Sequence, residues 1–215
     1  MSTLAPSFAD DAPRTPGRLA TALWRRVWRR AELCVYVYRA DRVWGLPRPQ
    51  RMVRDRWEDL ALFERTSRHF QLDRDAYSAS VSERRTQGHH LYTFVEHGRL
   101  LHYGWLIPQQ HQGDDARIGM RLYPDPGSAA LYDFYTHPLA RGRGLYTEAL
   151  QQMVHEAIEV DGAAQVYIYV NDDNGPSRRV IENVGFEYLG GLVREQRLWR
   201  TRRYATDPRL RTELL

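Results

Sequence analysis

The sequence predicts a mixed α+β fold, and three stretches carry that prediction. Residues 90–107, "HLYTFVEHGRLLHYGWLI", contain two β-rich runs around a turn with Gly98, which is typical of an antiparallel hairpin. Ala129–Thr136 and Ala164–Val170 are strand-like and flank an apolar-striped helix over Gly144–Val160. A strand–helix–strand unit implies a parallel pair within an otherwise antiparallel sheet.

The other elements follow from local patterns. Leu19–Arg30 has helical spacing of apolar residues with arginines between them, which fits either a helix packed on the domain edge or one lying on a membrane surface. The remaining predicted elements are a strand over Glu32–Arg39, a helix within 54–70, a helix over 73–85 capped by Asp73, a strand near Ile118–Leu122, a short helix within 174–186, and two final strands.

Composition predicts one globular domain over residues 19–215, preceded by a Ser/Pro/Ala-rich terminus, residues 1–18, that we expect to be disordered. The chain is 42% hydrophobic and 27% charged, without an apolar run long enough to span a membrane. Its one cysteine, Cys34, lies in a strand-like run and is expected to be a buried thiol. This cysteine usage, with no secretory signal pattern, predicts a cytoplasmic protein.

The charge pattern permits an anionic partner without naming one. The net charge is +4, and all 31 basic residues are arginine. Because they are scattered, a nucleic-acid partner is disfavoured, unless the Trp/Arg-rich first helix and last strand form one face. The eight histidines have no metal-ligand spacing, so no metal site is predicted.

One segment carries chemistry: "RGRGLYTEAL", which begins at Arg141. Gly142 and Gly144 allow a tight bend and a close approach of the backbone to a ligand. The helix that follows begins with free N–H groups and a positive dipole end, so the segment predicts a site for a phosphate or pyrophosphate. Arg141 and Arg143 add charge, and Thr147 adds a hydroxyl. A simple strand-to-helix turn is the alternative.

This segment resembles the signature of the GNAT superfamily of acyl-CoA-dependent N-acyltransferases, Arg/Gln-x-x-Gly-x-Gly/Ala. Arg141 through Leu145 match in order after "YTHP", and Tyr146 departs at the position of the last Gly or Ala. A second similarity is "VYIYVNDDNGPSRRVIENVGF", in which Asn174, Ser177 and the Gly185-Phe186 pair fall on family positions. The resemblance covers Ala129 to about Leu198.

The resemblance implies a mostly antiparallel sheet of six to seven strands, flanked by helices, with a central parallel pair that splays apart. Acetyl-CoA or another acyl-CoA would lie in that wedge as co-substrate. Main chain of Phe134 to Thr136 would pair with the pantetheine arm, and N–H groups from Gly142 to Tyr146 would bind the pyrophosphate. The implied binding set is Phe134, Tyr135, Thr136, Arg141, Gly142, Arg143, Gly144, Leu145, Tyr146, Thr147, Asn174 and Ser177.

The sequence offers several candidates for the catalytic acid and one for the base. Ile181 stands where the family often has a tyrosine acid. Tyr188 is our candidate acid, with Tyr169 and Tyr146 as alternatives, or solvent or the product ammonium protonates the thiolate. Asp133 is the candidate base, unless it only faces solvent or pairs with an arginine. Glu96, His97 and His137 are interpreted as structural loop residues.

The leading hypothesis is an N-acyltransferase that moves an acetyl or other acyl group from acyl-CoA to a primary amine of a small molecule or sugar. A long-chain donor on CoA or on an acidic carrier protein is a variant. An acyl-CoA-binding module without turnover and a basic nucleic-acid-associated protein are the alternatives. The protein would act as a monomer or homodimer.

Overall fold

The structure, a computed structural model, describes residues 28–64 and 74–215. Most strands form one sheet in the order β10-β9-β1-β8-β7-β4-β3-β2. Its strands are β1 Trp28–Arg39, β2 Val53–Arg54, β3 His90–Glu96, β4 Arg99–Ile107, β7 Ser128–Thr136, β8 Gln165–Asn171, β9 Glu187–Arg197 and β10 Arg200–Ala205. A second sheet contains β5 Gly113–Asp115, β6 Met120–Tyr123 and β11 Arg211–Leu214.

Helices cover both faces of the large sheet. They are α1 Arg74–Thr86, α2 Leu145–His155 and α3 Gly175–Val184, with a π-helical turn over Glu156–Val160 and short 3-10 helices at Ala40–Gly45, Trp57–Leu62 and Pro138–Ala140. α2 and α3 pack over a cluster that includes Leu106, Leu131 and Ile168. On the opposite face, the helix at Trp57–Leu62 packs on β3 and β4, and the small sheet packs on β1 and β8.

The α+β class is confirmed, and so is the central parallel pair. β7 and β8 pair in parallel around α2, whereas every other ladder of the described residues is antiparallel. The predicted hairpin forms as β3 and β4, with His97 and Gly98 both at positive φ in its turn. The sheet has more strands than the predicted six to seven: eight, with three more in the second sheet.

The prediction of a helix over Leu19–Arg30 is wrong at its end. Trp28 to Arg30 begin β1, where they pair with Arg197 to Glu195 of β9. Backbone groups bonded to a neighbouring strand cannot also close helical turns. Residues 19–27 lie outside the described residues, as do the predicted disordered terminus and the Asp73 cap.

The helix predicted within 54–70 is also wrong in its described part. Asp55 has φ 56°, which no right-handed helix accommodates. Its carboxylate accepts the Leu91 N–H at 3.1 Å and lies 2.7 Å from His90 Nδ1, so β3 fixes this conformation. Only the short 3-10 helix at Trp57–Leu62 follows, and residues 65–73 lie outside the described part of the chain.

Within residues 28–64 and 74–215, no helix is long and apolar enough to cross a membrane.

Candidate active site

The two parallel strands separate partway along their length. Their ladder runs from Ser128 opposite Gln165 to Leu131 opposite Ile168 and stops there. β7 continues to Thr136 and β8 to Asn171, so a wedge opens between them. The edge of β7 that faces this wedge presents backbone groups that an extended ligand can pair with, in the manner of an added strand.

A bulge in β7 shapes the mouth of the wedge. Tyr132 pairs with Trp105 and Tyr135 with Tyr103, so two residues of β7, Asp133 and Phe134, oppose Gly104 alone. Asp133 has φ 51°, and a Cβ at Gly104 would lie 2.3 Å from Phe134 Cε1. The missing side chain of Gly104 therefore lets the Phe134 ring lie across β4 on the face covered by α2, while Asp133 points to the opposite face.

The glycine segment forms the loop that leads into α2. Gly142 and Gly144 have φ of 78° and 77°, and Gly144 is the N-cap of α2. Glu148 N donates to Gly144 O at 3.0 Å, so the N–H groups of Leu145, Tyr146 and Thr147 precede the helical ladder. This helix end is an anion-binding element.

α3 supplies the second wall, and it too presents its N-terminus. Asn174 Oδ1 accepts the Ser177 N–H at 3.3 Å as a helix cap, which leaves the amide nitrogen of Asn174 to donate. We call the space between the walls the splay cleft, and its volume is about 690 Å³. It is lined by Phe134, Thr136, Ala140, Arg141, Gly142, Gly144, Leu145, Tyr146, Thr147, Asn174, Pro176, Ser177 and Val180.

Two members of the predicted binding set do not line the cleft with their side chains. Tyr135 is buried on the opposite face, where its ring stacks 5.5 Å from that of Tyr103. The Arg143 guanidinium makes two 2.8 Å contacts with Glu96 in the β3–β4 turn, and these hold the pKa of Glu96 below its usual range. The other ten predicted residues all line the cleft.

Tyr146 shows how the chain accommodates its departure from the family pattern. Its ring packs 4.9 Å from Phe134 and 6.1 Å from His102, so it lies against the strand bulge. Burial raises the pKa of Tyr146, and a hydrogen bond with the Ser177 side chain partly opposes that rise. The phenol therefore keeps its proton and links α2 to α3 inside the cleft.

His102 is a residue that sequence patterns did not single out. It is fully buried beneath the cleft, and its Nδ1 lies 2.9 Å from Thr136 Oγ1. Burial lowers the pKa of His102 to about 3, and its Nε2 has no hydrogen-bond partner among the described residues. Its position in a β-rich run resembles that of any core residue, and its contact with Thr136 follows from the register in which β4 and β7 pair.

The two predicted catalytic residues are not brought together. Asp133 Oδ2 lies 2.5 Å from Arg84 Nη1, so the ion pair considered as its alternative is present. Tyr188 is half exposed, donates to Glu32 Oε1 at 3.1 Å, and does not line the splay cleft. Tyr169, another candidate acid, donates instead to Gln110 Oε1 at 2.7 Å.

The face on which Asp133 lies carries a polar group that the sequence did not reveal. Tyr132, the first residue beyond the parallel ladder, has its hydroxyl 2.7 Å from His89 Nδ1. Burial lowers the pKa of His89, and the charge of Arg84 adds to that effect. Arg84 lies 5.0 Å over the Tyr132 ring. We call His89, Tyr132, Arg84 and Asp133 the far-face cluster.

His137 has a structural contact at the end of β7. His137 Nδ1 accepts the Leu139 N–H at 3.2 Å at the start of a 3-10 helix, which agrees with its interpretation as a loop residue. Across the described residues, no group of three or more His, Cys, Asp or Glu is placed to hold a metal ion. Cys34 is buried as expected, and burial raises the pKa of its thiol.

Comparison with known proteins establishes the family. The model of the acetyltransferase (GNAT) domain matches residues 51–187, well over half of the chain. The protein therefore belongs to the GNAT acetyltransferase family, and the resemblance drawn from Arg141–Leu145 and Asn174–Phe186 is confirmed. No curated protein matches the sequence.

Solved structures share the fold at low sequence identity. A GNAT-family acetyltransferase from Colwellia psychrerythraea superposes with a TM-score of 0.57 at 14% identity, over 84% of this chain and 61% of its own. A functionally unknown protein from Staphylococcus epidermidis gives 0.52 at 12%, over 88% and 70%. A tandem GNAT protein from the clavulanic acid biosynthesis pathway gives 0.52 at 17%, over 92% and 61%. This chain thus spans about three fifths of two of these proteins.

Proposed function

We propose that the protein transfers an acetyl or other acyl group from acyl-CoA to a primary amine of a small molecule or sugar. The observation that carries the proposal is the splay cleft. It joins an unpaired strand edge, which suits the pantetheine amides, to the uncapped N-terminus of α2, which suits the pyrophosphate, with Asn174 of α3 on the opposite wall. Family membership supports acyl transfer in general, and the choice of acceptor is our inference.

The residues around the cleft fit such a donor. The N–H groups of Leu145 to Thr147 supply main-chain donors without helical partners, and the exposed Arg141 adds charge at the rim. Main chain of Phe134 to Thr136 would bind the amides of the arm. Bound in this way, the donor supplies an activated thioester carbonyl near the bulge at Asp133 and Phe134.

Of the side-chain groups beside the bulge of β7, the far-face cluster is the best placed to accept a proton from the amine substrate. An amine must lose its proton before it attacks, and a histidine with a lowered pKa is neutral and can accept that proton. We infer that His89 accepts it, directly or through the Tyr132 hydroxyl to which it is hydrogen-bonded. Asp133 and Arg84 would hold Tyr132 in place rather than exchange protons.

The leaving thiolate needs a proton in return. Burial raises the pKa values of Tyr146, Tyr169 and Tyr188, which makes each a poorer acid than free tyrosine. Tyr146, in the cleft, is therefore suited to donate a hydrogen bond rather than its proton. The attacking nitrogen must lose a second proton as the amide forms. Transfer of that proton to the thiolate gives the free thiol and balances the reaction.

The direct test is release of free thiol from acetyl-CoA in the presence of an amine panel, with thermal stabilisation by CoA measured in parallel. We expect both, and we expect Gly144→Glu to abolish both because a carboxylate would stand at the anion site. Gly144→Ala introduces the same backbone strain without the charge. Gly162→Glu is the matched control, since Gly162 has φ 74° with open space around it and lies outside the cleft lining.

A binding module without turnover is the second candidate. Ile181 occupies the position of the usual tyrosine acid and is fully buried in the core. Stabilisation by CoA with no thiol release on any amine would favour this candidate. The absence of any stabilisation would exclude both candidates, and full CoA binding by Gly144→Glu would mean that the glycine segment is only a turn.

A further inference from the structure

The turn between β9 and β10 places two large apolar side chains in solvent. Leu198 and Trp199, which we call the arm tip, are 56% and 83% exposed. Trp28 is 41% exposed and pairs with Arg197 directly behind the tip. Single exposed apolar residues are ordinary, but three at one end of a sheet indicate a contact surface.

The backbone of the tip is strained as well as apolar. Arg197 pairs with Arg200, so Leu198 and Trp199 form a two-residue hairpin turn, and Leu198 has φ 54°. Glycine, asparagine or aspartate normally occupies such a position. Folding of the hairpin alone would favour those residues, so the leucine points to a function outside the fold.

Arginines surround the base of the tip. Arg29, Arg197, Arg200 and Arg202 are exposed, and none has a carboxylate within 4.0 Å among the described residues. Farther from the tip, Arg194 and Arg203 donate to the carbonyls of Arg117 and Ile118 and so fix the hairpin against the loop before β6. The apolar residues are therefore outermost, and arginines without a carboxylate partner come next. The Arg197 guanidinium lies 5.1 Å over the Trp28 ring.

Two other occupants fit this arrangement less well. A second copy that paired at the edge strand β10 would place Arg200, Arg202 and Arg203 against their own counterparts. A nucleic acid on the face around Arg30 would meet Glu32 and Glu195, which pair with Arg30 at 2.7 Å and 3.7 Å.

We propose that the arm tip inserts into the headgroup region of an anionic lipid bilayer. Tryptophan and leucine suit the region between headgroups and acyl chains, and arginines suit anionic headgroups, so the apolar tip and the arginines behind it match these two layers. Each arginine near an anionic surface adds attraction that salt screens.

The hairpin of β9 and β10, which we call the arm, also orients the splay cleft. Leu33 pairs with Asn171 at the open end of β8, and β1 continues from there to Trp28, about 17 Å farther at ~3.3 Å per residue. The tip therefore projects from the same end of the sheet at which the cleft opens, the end that holds the carboxyl termini of β7 and β8. Docking of the tip turns that end of the sheet, and with it the cleft, towards the lipid surface.

Co-sedimentation of the full chain with vesicles tests the proposal. We expect binding to phosphatidylcholine vesicles with about 30% phosphatidylserine, weaker binding to phosphatidylcholine alone, and loss with added salt. Trp199→Ser should reduce the partition coefficient at least ~tenfold. The matched control is Trp44→Ser: Trp44 is 84% exposed but follows the other end of β1, and its substitution should change nothing.

A site-specific probe separates insertion by the tip from binding elsewhere in the chain. The native thiol, Cys34, is buried, so Leu198→Cys can be labelled selectively with an environment-sensitive dye. We expect a blue shift on the anionic vesicles, and none for a dye on Trp44→Cys. Equal shifts at both positions, or full binding by Trp199→Ser, would overturn the proposal.

A nucleic-acid partner is an explicit outcome of the same experiments. Fluorescence anisotropy of a labelled single-stranded RNA is measured with the native protein and with Trp199→Ser. Binding of RNA that requires Trp199, without binding to vesicles, would assign the arm to nucleic acid and refute the lipid surface. CoA binding is read separately, so failure of this proposal leaves the proposed acyltransferase untouched.

Discussion

A single buried histidine beneath the cleft makes stability depend on pH. Burial lowers the pKa of His102 to about 3, whereas an unfolded histidine titrates near ~6.5. Between these values the unfolded chain binds a proton that the folded chain does not, so stability falls as the pH falls, by up to ~1.4 kcal/mol per pH unit. Urea midpoints between pH 7 and pH 4 should show this slope.

His102→Gln isolates the contribution of that residue, because glutamine keeps a polar partner for Thr136 but does not titrate in this range. We expect its stability to fall less steeply with acid than that of the native protein. His111→Gln, at an exposed position, serves as the control and should follow the native curve. Parallel curves for all three proteins would contradict a neutral buried His102.

The far-face cluster gives a second prediction, for two residues with different roles. Asp133→Asn removes only an ion pair at a partly exposed site, so we expect a stability loss under ~1 kcal/mol and turnover within about twofold. Asparagine also tolerates the positive φ of position 133. His89→Gln should lower turnover by ~100-fold and remove the acid limb of its pH profile. A loss of turnover well beyond twofold in Asp133→Asn would instead support Asp133 as the base.

At the scale of single residues, the sequence predicts the roles of main-chain groups better than it predicts which side chains contact each other. Gly142 and Gly144 were interpretable because a positive φ has a sequence signature. The pairing of Arg143 with Glu96 joins residues from two separate elements, and no local pattern encodes it. The same is true of His102 and of the contact between His89 and Tyr132.

At the scale of elements, the cap of α3 has a structural role and a binding role that substitutions can separate. Asn174→Asp keeps a cap for the Ser177 N–H but adds negative charge beside the anion site. We expect unchanged stability and CoA affinity about tenfold lower, a change of ~1.4 kcal/mol. Asn174→Ala should lose about 1 kcal/mol of stability with the cap. Equal CoA affinity in the native and aspartate proteins would place the pyrophosphate elsewhere.

Elements were predictable where local pattern and long-range pairing agree. The β3–β4 hairpin has alternating apolar residues and a turn with Gly98, and both survive in the fold. Residues 55–62 have helical spacing, yet Asp59 is buried and accepts from Thr93 Oγ1 at 2.5 Å, so contacts with β3 override it. β5 and β11 are short and polar, and only their pairing with β6 defines them.

At the scale of the whole molecule, both proposed contacts, with CoA and with lipid, lie at one end of the large sheet. The cleft opens there between β7 and β8, and the arm of β9 and β10 extends beyond it. The small sheet, β5, β6 and β11, lies over the face opposite α2 and takes no part in the cleft. Ligand effects should therefore be confined to one part of the chain.

Hydrogen exchange with and without CoA can test this confinement. We expect added protection at short exchange times in residues 132–136, whose wedge-facing N–H groups lie beyond the β7–β8 ladder, and in residues 145–147, whose N–H groups precede the helical ladder of α2. The amides of β6 and of the arm should be unchanged at those times. A ligand at about 100 times its Kd also stabilises the entire fold by ~2.7 kcal/mol, which slows exchange everywhere at long times. Early protection that spreads evenly, or appears first in the small sheet, would place the CoA site outside the splay cleft.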